Sequence, residues 1–252
     1  MSDASSTSTV VPVPPAIRPL LERIGRGAGE QQVSAYAVGG CVRDWLLGQT
    51  QTPDLDVMIE GDGIAFARSL GQALGVGVLA HEQFGTATLT LDVSPAGSAC
   101  GPTSVKLDVA TCRKETYAAP AAYPKVEPAR LRDDLVRRDF TINAMAMTLA
   151  PSEFGRLIDP HGGLADLRAQ RLRVLHPKSF IDDPSRILRA ARFVPRFGYQ
   201  LDAETERLLR QAVADGLLER LNRGRLRREL EHLAEEPQPW ACLRCLAGWL
   251  AR

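Results

Sequence analysis

The sequence has 252 residues, 44% of them hydrophobic and 24% charged, which is the balance of a globular protein with a buried core. Its 31 Lys and Arg against 30 Asp and Glu leave a net charge of +1, so any nucleic-acid surface must be a local patch. No apolar run approaches the roughly 18 residues of a membrane span, and the 5 irregularly spaced cysteines are typical of a reducing compartment. We therefore expect a soluble, cytoplasmic protein without membrane contact.

The predicted elements change character along the chain. The first sixteen residues, 1–16, are rich in Ser, Thr and Pro and predict a disordered tail. Strand-like and helical runs then alternate, with a Pro-, Gly- and Ser-rich connection over 94–104. The predicted strands are 34–38, 55–59, 87–93 and 105–109, and a helix over 63–74 ends at Gly75. After Arg171 only helices are predicted, over 183–197, 203–214 and 225–233, so the seam lies near 150–175.

The sharpest chemical feature is the pair Asp54 and Asp56 in the segment PDLDVMIEGD. On a strand, residues two apart point to the same face, so both carboxylates converge and repel unless a cation lies between them. Oxygen ligands suit a divalent cation, and Asp108 on a later predicted strand could join the pair and support two Mg²⁺ ions. Without further context, the two aspartates would instead be solvated residues that flank a turn, as Pro-Asp sequences often are.

The preceding segment, VGGCVRDWLLG, changes that balance. Gly39 and Gly40 follow an apolar strand, where small residues let backbone N–H groups approach a phosphate, and Arg43 adds charge in the next turn. Neither a P-loop nor the G-x-G-x-x-G of a dinucleotide fold is present in this segment. A glycine pair, an arginine and then two aspartates indicate a nucleotide-handling site.

Several further segments carry a recognisable pattern in the same order: HEQFGTATL, LDVATCRKETY, DLVRRDFTINAMAM, LIDPHGGLADL and HPKSFIDDPSRILRAARF. Together with the two above, they make residues 35–233 resemble the class II tRNA nucleotidyltransferase and bacterial poly(A) polymerase family, of the polymerase β-like nucleotidyltransferase superfamily. The resemblance implies an α+β fold, with a polymerase β-like head of mixed sheet and flanking helices over 17–165. A helical neck would follow over 166–252, and the body and tail domains of relatives are expected to be absent.

The resemblance also implies roles for individual residues of the head. Asp54 and Asp56 would hold Mg²⁺, with Asp108 as the third catalytic carboxylate. Gly40 and Arg43 would contact the triphosphate. In the RRD segment, Arg138 would bind nucleotide and Asp139 would meet the ribose.

The neck would read the base through Asp183 and Arg186. A carboxylate accepts from an exocyclic amine, which C and A both possess, and a guanidinium donates to ring or carbonyl acceptors. Arg189 and Arg192 follow at helical intervals of three and would line a groove nearer the phosphates. The alternatives are that Asp183 only caps the helix and that the arginines form a solvated face.

The implied activity is template-independent addition of CMP and/or AMP, from CTP and ATP, to the 3′ end of tRNA. A poly(A) polymerase and a non-catalytic RNA-binding remnant are the alternatives. Two features stay open. The segment TYAAPAAYPKVEP lacks the arginine-containing loop of many relatives, and five late arginines form either a salt-bridged surface or an RNA contact: Arg220, Arg223, Arg225, Arg227 and Arg228.

Overall fold

The structure is a computed structural model that describes residues 9–93 and 103–251. The strands in this part of the chain are β1 (Ser34–Val38), β2 (Asp54–Glu60), β3 (Val78–His81), β4 (Thr86–Val93), β5 (Thr103–Thr111), β6 (Arg113–Thr116), β7 (Lys125–Pro128), β8 (Ala146–Thr148), β9 (Leu157–Ile158), β10 (Arg171–Leu172) and β11 (Gln200–Leu201). The α-helices are α1 (Arg18–Glu30), α2 (Gly40–Leu46), α3 (Gly63–Leu74), α4 (Leu131–Val136), α5 (Gly163–Arg168), α6 (Ser179–Asp182), α7 (Ser185–Phe197), α8 (Ala203–Ala214), α9 (Arg223–Ala234) and α10 (Pro239–Leu250).

The chain divides into two compact units, and each unit is made of several segments that alternate along the sequence. The first unit takes the chain up to Lys114 and adds Pro128–Leu135 and Asn143–Pro160. The second unit begins at His161 and also includes two earlier segments, Glu115–Glu127 and Val136–Ile142. The functional head over 17–165 and neck over 166–252 stay a prediction.

A seven-stranded mixed sheet forms the centre of the first unit, in the order β3-β4-β5-β2-β1-β8-β9. β2 and β5 run parallel, and the other neighbouring pairs are antiparallel. Along β2, Leu55 and Val57 are fully buried whereas Asp54 and Asp56 are exposed, as period-2 alternation requires. The core therefore lies under one face of β2, and its carboxylates lie on the other.

The strands predicted in this unit are confirmed, and α3 begins and ends at the predicted residues. Asp62 caps α3 because its carboxylate accepts from the N–H groups of Ile64 and Ala65. Gly75 ends it in a left-handed conformation, with a φ of 70° that disfavours residues with a Cβ. Most of the predicted connection over 94–104 lies outside the described residues.

The expected disordered tail is wrong for part of its length. Its first eight residues lie outside the described chain, but Val11 is buried and its N–H donates to the carbonyl of Gly155 at 2.8 Å. Helix α1, which no sequence pattern predicted, follows and buries Leu21 and Ile24. The start of the chain thus contributes to the core of the first unit.

The second unit is mainly helical. Helix α8 matches the predicted 203–214, whereas α7 begins at Ser185, two residues later than predicted. A two-stranded parallel sheet of β10 and β11, which the sequence did not predict, joins the unit.

A buried carboxylate organises the beginning of the second unit. Asp166 has no exposed surface and accepts from the Thr141 hydroxyl at 2.7 Å, from Arg171 at 2.7 Å and from Arg173 at 2.8 Å. Burial alone would raise the pKa of Asp166, but the three donors lower it below the ordinary value. Asp166 is therefore ionised and holds segments that are distant in sequence.

Asp166→Asn is expected to lower the free energy of unfolding by about 2–4 kcal/mol near neutral pH, because the amide keeps the volume but loses the charge that two arginines face. Since folding lowers this pKa, the stabilisation is present above the ordinary Asp pKa and is lost as the pH falls through the folded-state value. Urea unfolding at neutral pH and at about pH 3 measures both effects. Asp215→Asn, at the exposed end of α8, is the control. A deficit equally large at both pH values would contradict the assignment.

Candidate functional site

The predicted carboxylates lie on the two central parallel strands of the first unit. Asp54 and Asp56 are exposed on β2, and the register places Asp56 directly opposite Asp108 on β5. Residues opposite each other on neighbouring strands point to the same face, so all three belong to one surface of the sheet. The same register places Lys106 opposite Asp54. The predicted convergence of these strands is therefore present in the backbone.

Lys106 and Thr88 contact the third carboxylate. The ammonium of Lys106 lies 2.6 Å from one oxygen of Asp108, and the Thr88 hydroxyl donates to the other at 2.5 Å. The hydrogen bond to Asp108 and the nearby charges of Asp54 and Asp56 together raise the pKa of Lys106, although burial works against them. A cation of the chain itself thus stands among the three carboxylates.

The donor set fits a divalent cation by its chemistry, since carboxylate oxygens at adjoining strand positions are the ligands that Mg²⁺ prefers. The side chains do not form a ready three-ligand cluster: in 9–93 and 103–251, no group of three or more His, Cys, Asp or Glu is placed to hold a metal ion. Both oxygens of Asp108 already have donors from its own unit. Asp54 and Asp56 are thus the residues best placed to take a metal, and Asp108 would have to exchange Lys106 for it.

The predicted glycine turn lies beside these strands, between β1 and α2. Gly39 has a φ of 73° and a ψ of −126°, a conformation that residues with a Cβ rarely adopt, and Gly40 begins the helix. Cys41 lies close to Asp56: burial, followed by the charge of Asp56, raises the pKa of its thiol to about 12. The turn and the aspartates therefore belong to the same region of the first unit.

Arg43 is held in place by side chains of the first unit. It is 6% exposed, its Nε donates to Asp44 at 2.8 Å and its Nη1 donates to Asn143. Because the Arg43 guanidinium is already fixed, its predicted contact with a triphosphate would cost little side-chain conformational entropy.

In the second unit, Asp183 lies between α6 and α7. One oxygen, Oδ1, accepts from the N–H of Ser185 at 3.0 Å and from its hydroxyl at 2.6 Å. Helix α7 is assigned from Ser185 with Pro184 before it, and the Asp183 carboxylate accepts from this first turn as an N-cap side chain does. The predicted capping contact is therefore present, and the base-reading role of Asp183 stays a prediction. Arg225 from α9 also donates to this oxygen.

Arg186, the second predicted base reader, has a different environment. Its side chain is buried, and it donates to the Ser179 hydroxyl and to the carbonyl of Arg137, each at 2.6 Å. Arg137 in turn pairs with Glu115 at 2.9 Å. Arg138, the neighbouring predicted nucleotide contact, is half-buried. Arg186 therefore joins the RRD segment to the beginning of α7.

Acidic residues engage the two later arginines of α7. Arg189 lies 2.7 Å from Asp139 and 3.8 Å from Glu229, and the charge of Asp139 raises the pKa of Arg189. Arg192 lies 3.3 Å from Glu229 and 3.1 Å from Glu236. The sequence interpretation of a solvated face is wrong for both, because their partners lie within the unit.

Sequence reasoning missed most of these partners. Lys106 had a readable signal, because it precedes Asp108 by two residues on a strand and must share its face. Asn143, Glu115 and Glu229 had none, because their arginine partners are distant in sequence: 100 residues separate Arg43 from Asn143.

Comparisons with known proteins bear on both units. The profile of the family described as the Poly A polymerase head domain matches residues 35–173. The A-adding tRNA nucleotidyltransferase of Aquifex aeolicus is 50% identical over 197 residues, which are 78% of this chain and 22% of that protein. The CC-adding tRNA nucleotidyltransferase of Deinococcus radiodurans is 39% identical over 235 residues, 93% of this chain and 59% of that protein.

A solved structure extends the similarity to the fold. A tRNA nucleotidyltransferase complexed with a primer tRNA and an incoming ATP analog matches with a TM-score of 0.77 and 44% identity, over 90% of this chain and 60% of that one. The predicted α+β class is confirmed. The chain spans less than two thirds of each of these three proteins. Within its described residues, no helix is both long and apolar enough to cross a bilayer.

Proposed function

The chain belongs to the Poly A polymerase head domain family, and from this membership we propose that it transfers nucleotides to RNA without a nucleic-acid template. The acceptor would be the 3′ end of tRNA and the donors CTP and/or ATP, with pyrophosphate released. The single observation that carries the proposal is the placement of Asp54 and Asp56 beside Asp108 on adjoining parallel strands, next to the turn at Gly39. The tRNA nucleotidyltransferase names of the relatives support the choice of acceptor.

The carboxylate surface of the first unit would carry the chemistry. Asp54 and Asp56 would hold Mg²⁺, which when bound supplies positive charge to a triphosphate and lowers the pKa of a coordinated hydroxyl. Asp108 would accept the proton of the attacking 3′ hydroxyl. Lys106 lies within hydrogen-bond reach of Asp108 and would hold that carboxylate in place while no substrate is bound.

Each unit has its own proposed nucleotide contacts, in the first unit for the triphosphate and in the second for ribose, base and phosphates. Gly40 and Arg43 would contact the triphosphate, since a buried, pre-oriented guanidinium suits phosphate oxygens. Arg138 would bind nucleotide and Asp139 the ribose, while Asp183 and Arg186 would read the base. Arg189 and Arg192 would provide positive charge toward the phosphates, after giving up part of their pairing with acidic residues.

The compartment is proposed to be the cytoplasm, where tRNA would be available. The four cysteines within the described chain are free thiols, as a reducing environment favours.

The decisive experiment incubates the chain and Mg²⁺ with tRNA that ends before CCA, tRNA that ends in CC, and an unrelated RNA, each with one labelled nucleotide. We expect one or two nucleotides from CTP on the first substrate, or one from ATP on the second, and no addition from GTP or UTP. Long tails of A on every RNA would favour a poly(A) polymerase. Binding of RNA without any transfer would favour a non-catalytic module.

A further inference from the structure

Arg225 connects the predicted base-reading carboxylate to two other parts of the second unit. Its side chain is only 16% exposed, and one guanidinium nitrogen donates to Oδ1 of Asp183, a residue 42 positions earlier. A second nitrogen lies 3.5 Å from the carbonyl of Ala121, and the guanidinium carbon lies 5.8 Å from the centre of the Tyr123 ring. A planar cation held at three points is fixed in orientation.

The bond changes what Asp183 can do. Oδ1 receives three donors, from Arg225 and from the N–H and hydroxyl of Ser185, which occupies the acceptor capacity of one oxygen. Within the described part of the chain, no hydrogen bond reaches Oδ2 of the same carboxylate. Rotation about the terminal torsion of an aspartate is otherwise broad. Fixing Oδ1 therefore fixes the direction in which Oδ2 can accept.

We propose that Arg225 is a positioning residue that sets base selectivity: by holding Oδ1 of Asp183, it aims Oδ2 at the exocyclic amine that ATP and CTP share. Tyr123 supports Arg225 from the face of its guanidinium. The inference rests on the proposed function, because it assigns Arg225 a role through a residue proposed to read the base. It also separates Arg225 from the other late arginines, since Arg227 forms only an exposed pair with Glu231 four residues on.

The test compares nucleotide binding by the full chain and its Arg225→Ala variant, using calorimetry with ATP, CTP, GTP and UTP in Mg²⁺. We expect the affinities for ATP and CTP to fall about 5- to 20-fold while those for GTP and UTP stay unchanged, because a lost acceptor direction affects only bases with the matching amine. Arg227→Ala, with the same change two residues away, should leave all four affinities unaltered. Arg225→Lys should restore part of the preference, because an ammonium can pair with Asp183 but cannot also hold the ring and the carbonyl.

Each outcome of this comparison either supports or overturns the role proposed for Arg225. Three results for Arg225→Ala would overturn the proposal. Equal weakening of all four nucleotides with a lowered Tm would show a merely structural role, and tighter binding would show that Arg225 competes with the base. An unchanged preference for ATP and CTP over GTP and UTP would show that Arg225 does not affect base selectivity. Should Arg225→Ala fail to fold, Tyr123→Ala replaces it, with an expected loss of about 2- to 3-fold confined to ATP and CTP. If the unaltered chain shows no preference among the nucleotides, the proposed function fails at this site, and that result is distinct from failure of the Arg225 assignment.

Discussion

Asp56→Ala should lower the rate of nucleotide transfer by at least about 10³-fold, because loss of a metal-holding carboxylate removes several kcal/mol of transition-state stabilisation. The fold should be retained, since the side chain is exposed and its removal relieves repulsion between like charges. Single-turnover transfer of labelled nucleotide measures the first effect, and thermal unfolding measures the second.

Asp92→Ala is the matched control. Asp92 is an exposed aspartate of β4 that pairs with Ser104 of β5, four register pairs away from the pair of Thr88 and Asp108. It therefore shares the sheet but not the group of Asp54, Asp56 and Asp108. Its substitution should leave transfer unchanged. Crystals soaked with Mn²⁺ and nucleotide should contain the metal between Asp54 and Asp56. Metal bound elsewhere, or an Asp56→Ala variant with near-normal activity, would refute the assignment.

Asp183→Ala is expected to reduce the preference for ATP and CTP over GTP and UTP by about 5- to 150-fold, the value of one good base contact of about 1–3 kcal/mol. Competition between labelled nucleotides gives the preference in transfer, and calorimetry with each nucleotide gives the preference in binding. Asp215→Ala provides a control in the same unit, because Asp215 is exposed at the end of α8.

Arg189→Ala should behave differently. It is expected to weaken all four nucleotides alike, because a phosphate contact carries no information about the base. The variant also removes a cationic partner of Asp139, so thermal unfolding must be measured alongside binding. A base-selective defect in Arg189→Ala, together with none in Asp183→Ala, would reverse the two roles.

The first unit was predictable to the extent that its elements have local signals. Two such signals depend only on a few neighbouring residues: the alternation of buried and exposed residues on β2, and the caps of α3 at Asp62 and Gly75. The pairing of β2 with β5 follows less directly, because about fifty residues separate Asp56 from its register partner Asp108. The residue types suggested that Asp56 and Asp108 would lie close together, but only the strand order of the sheet explains why they do.

The second unit was harder to predict because its charges pair at a distance. From sequence alone, the helix face with Arg189 and Arg192 is expected to be solvated. In the structure these arginines pair with Glu229 and Glu236, which lie about forty residues later in the chain. Sequence spacing predicted how these side chains are distributed around α7 but could not supply their partners. For the same reason the sequence could not separate the late arginines, which it left as either a salt-bridged surface or an RNA contact, whereas Arg225 pairs with Asp183 and Arg227 forms an exposed pair with Glu231.

The division of the chain into interrupted segments constrains how this protein could evolve. Glu115 and Asp139 belong to the second unit but are encoded ahead of Asn143–Pro160, which belongs to the first. A single crossover within Asn143–Pro160, between two homologous genes, would therefore separate acids of the second unit from their arginines, such as Asp139 from Arg189. No single crossover can exchange one unit for that of a homologue and leave both units intact, so the two units, with the predicted catalytic carboxylates and the predicted base-reading helix, should tend to be inherited together.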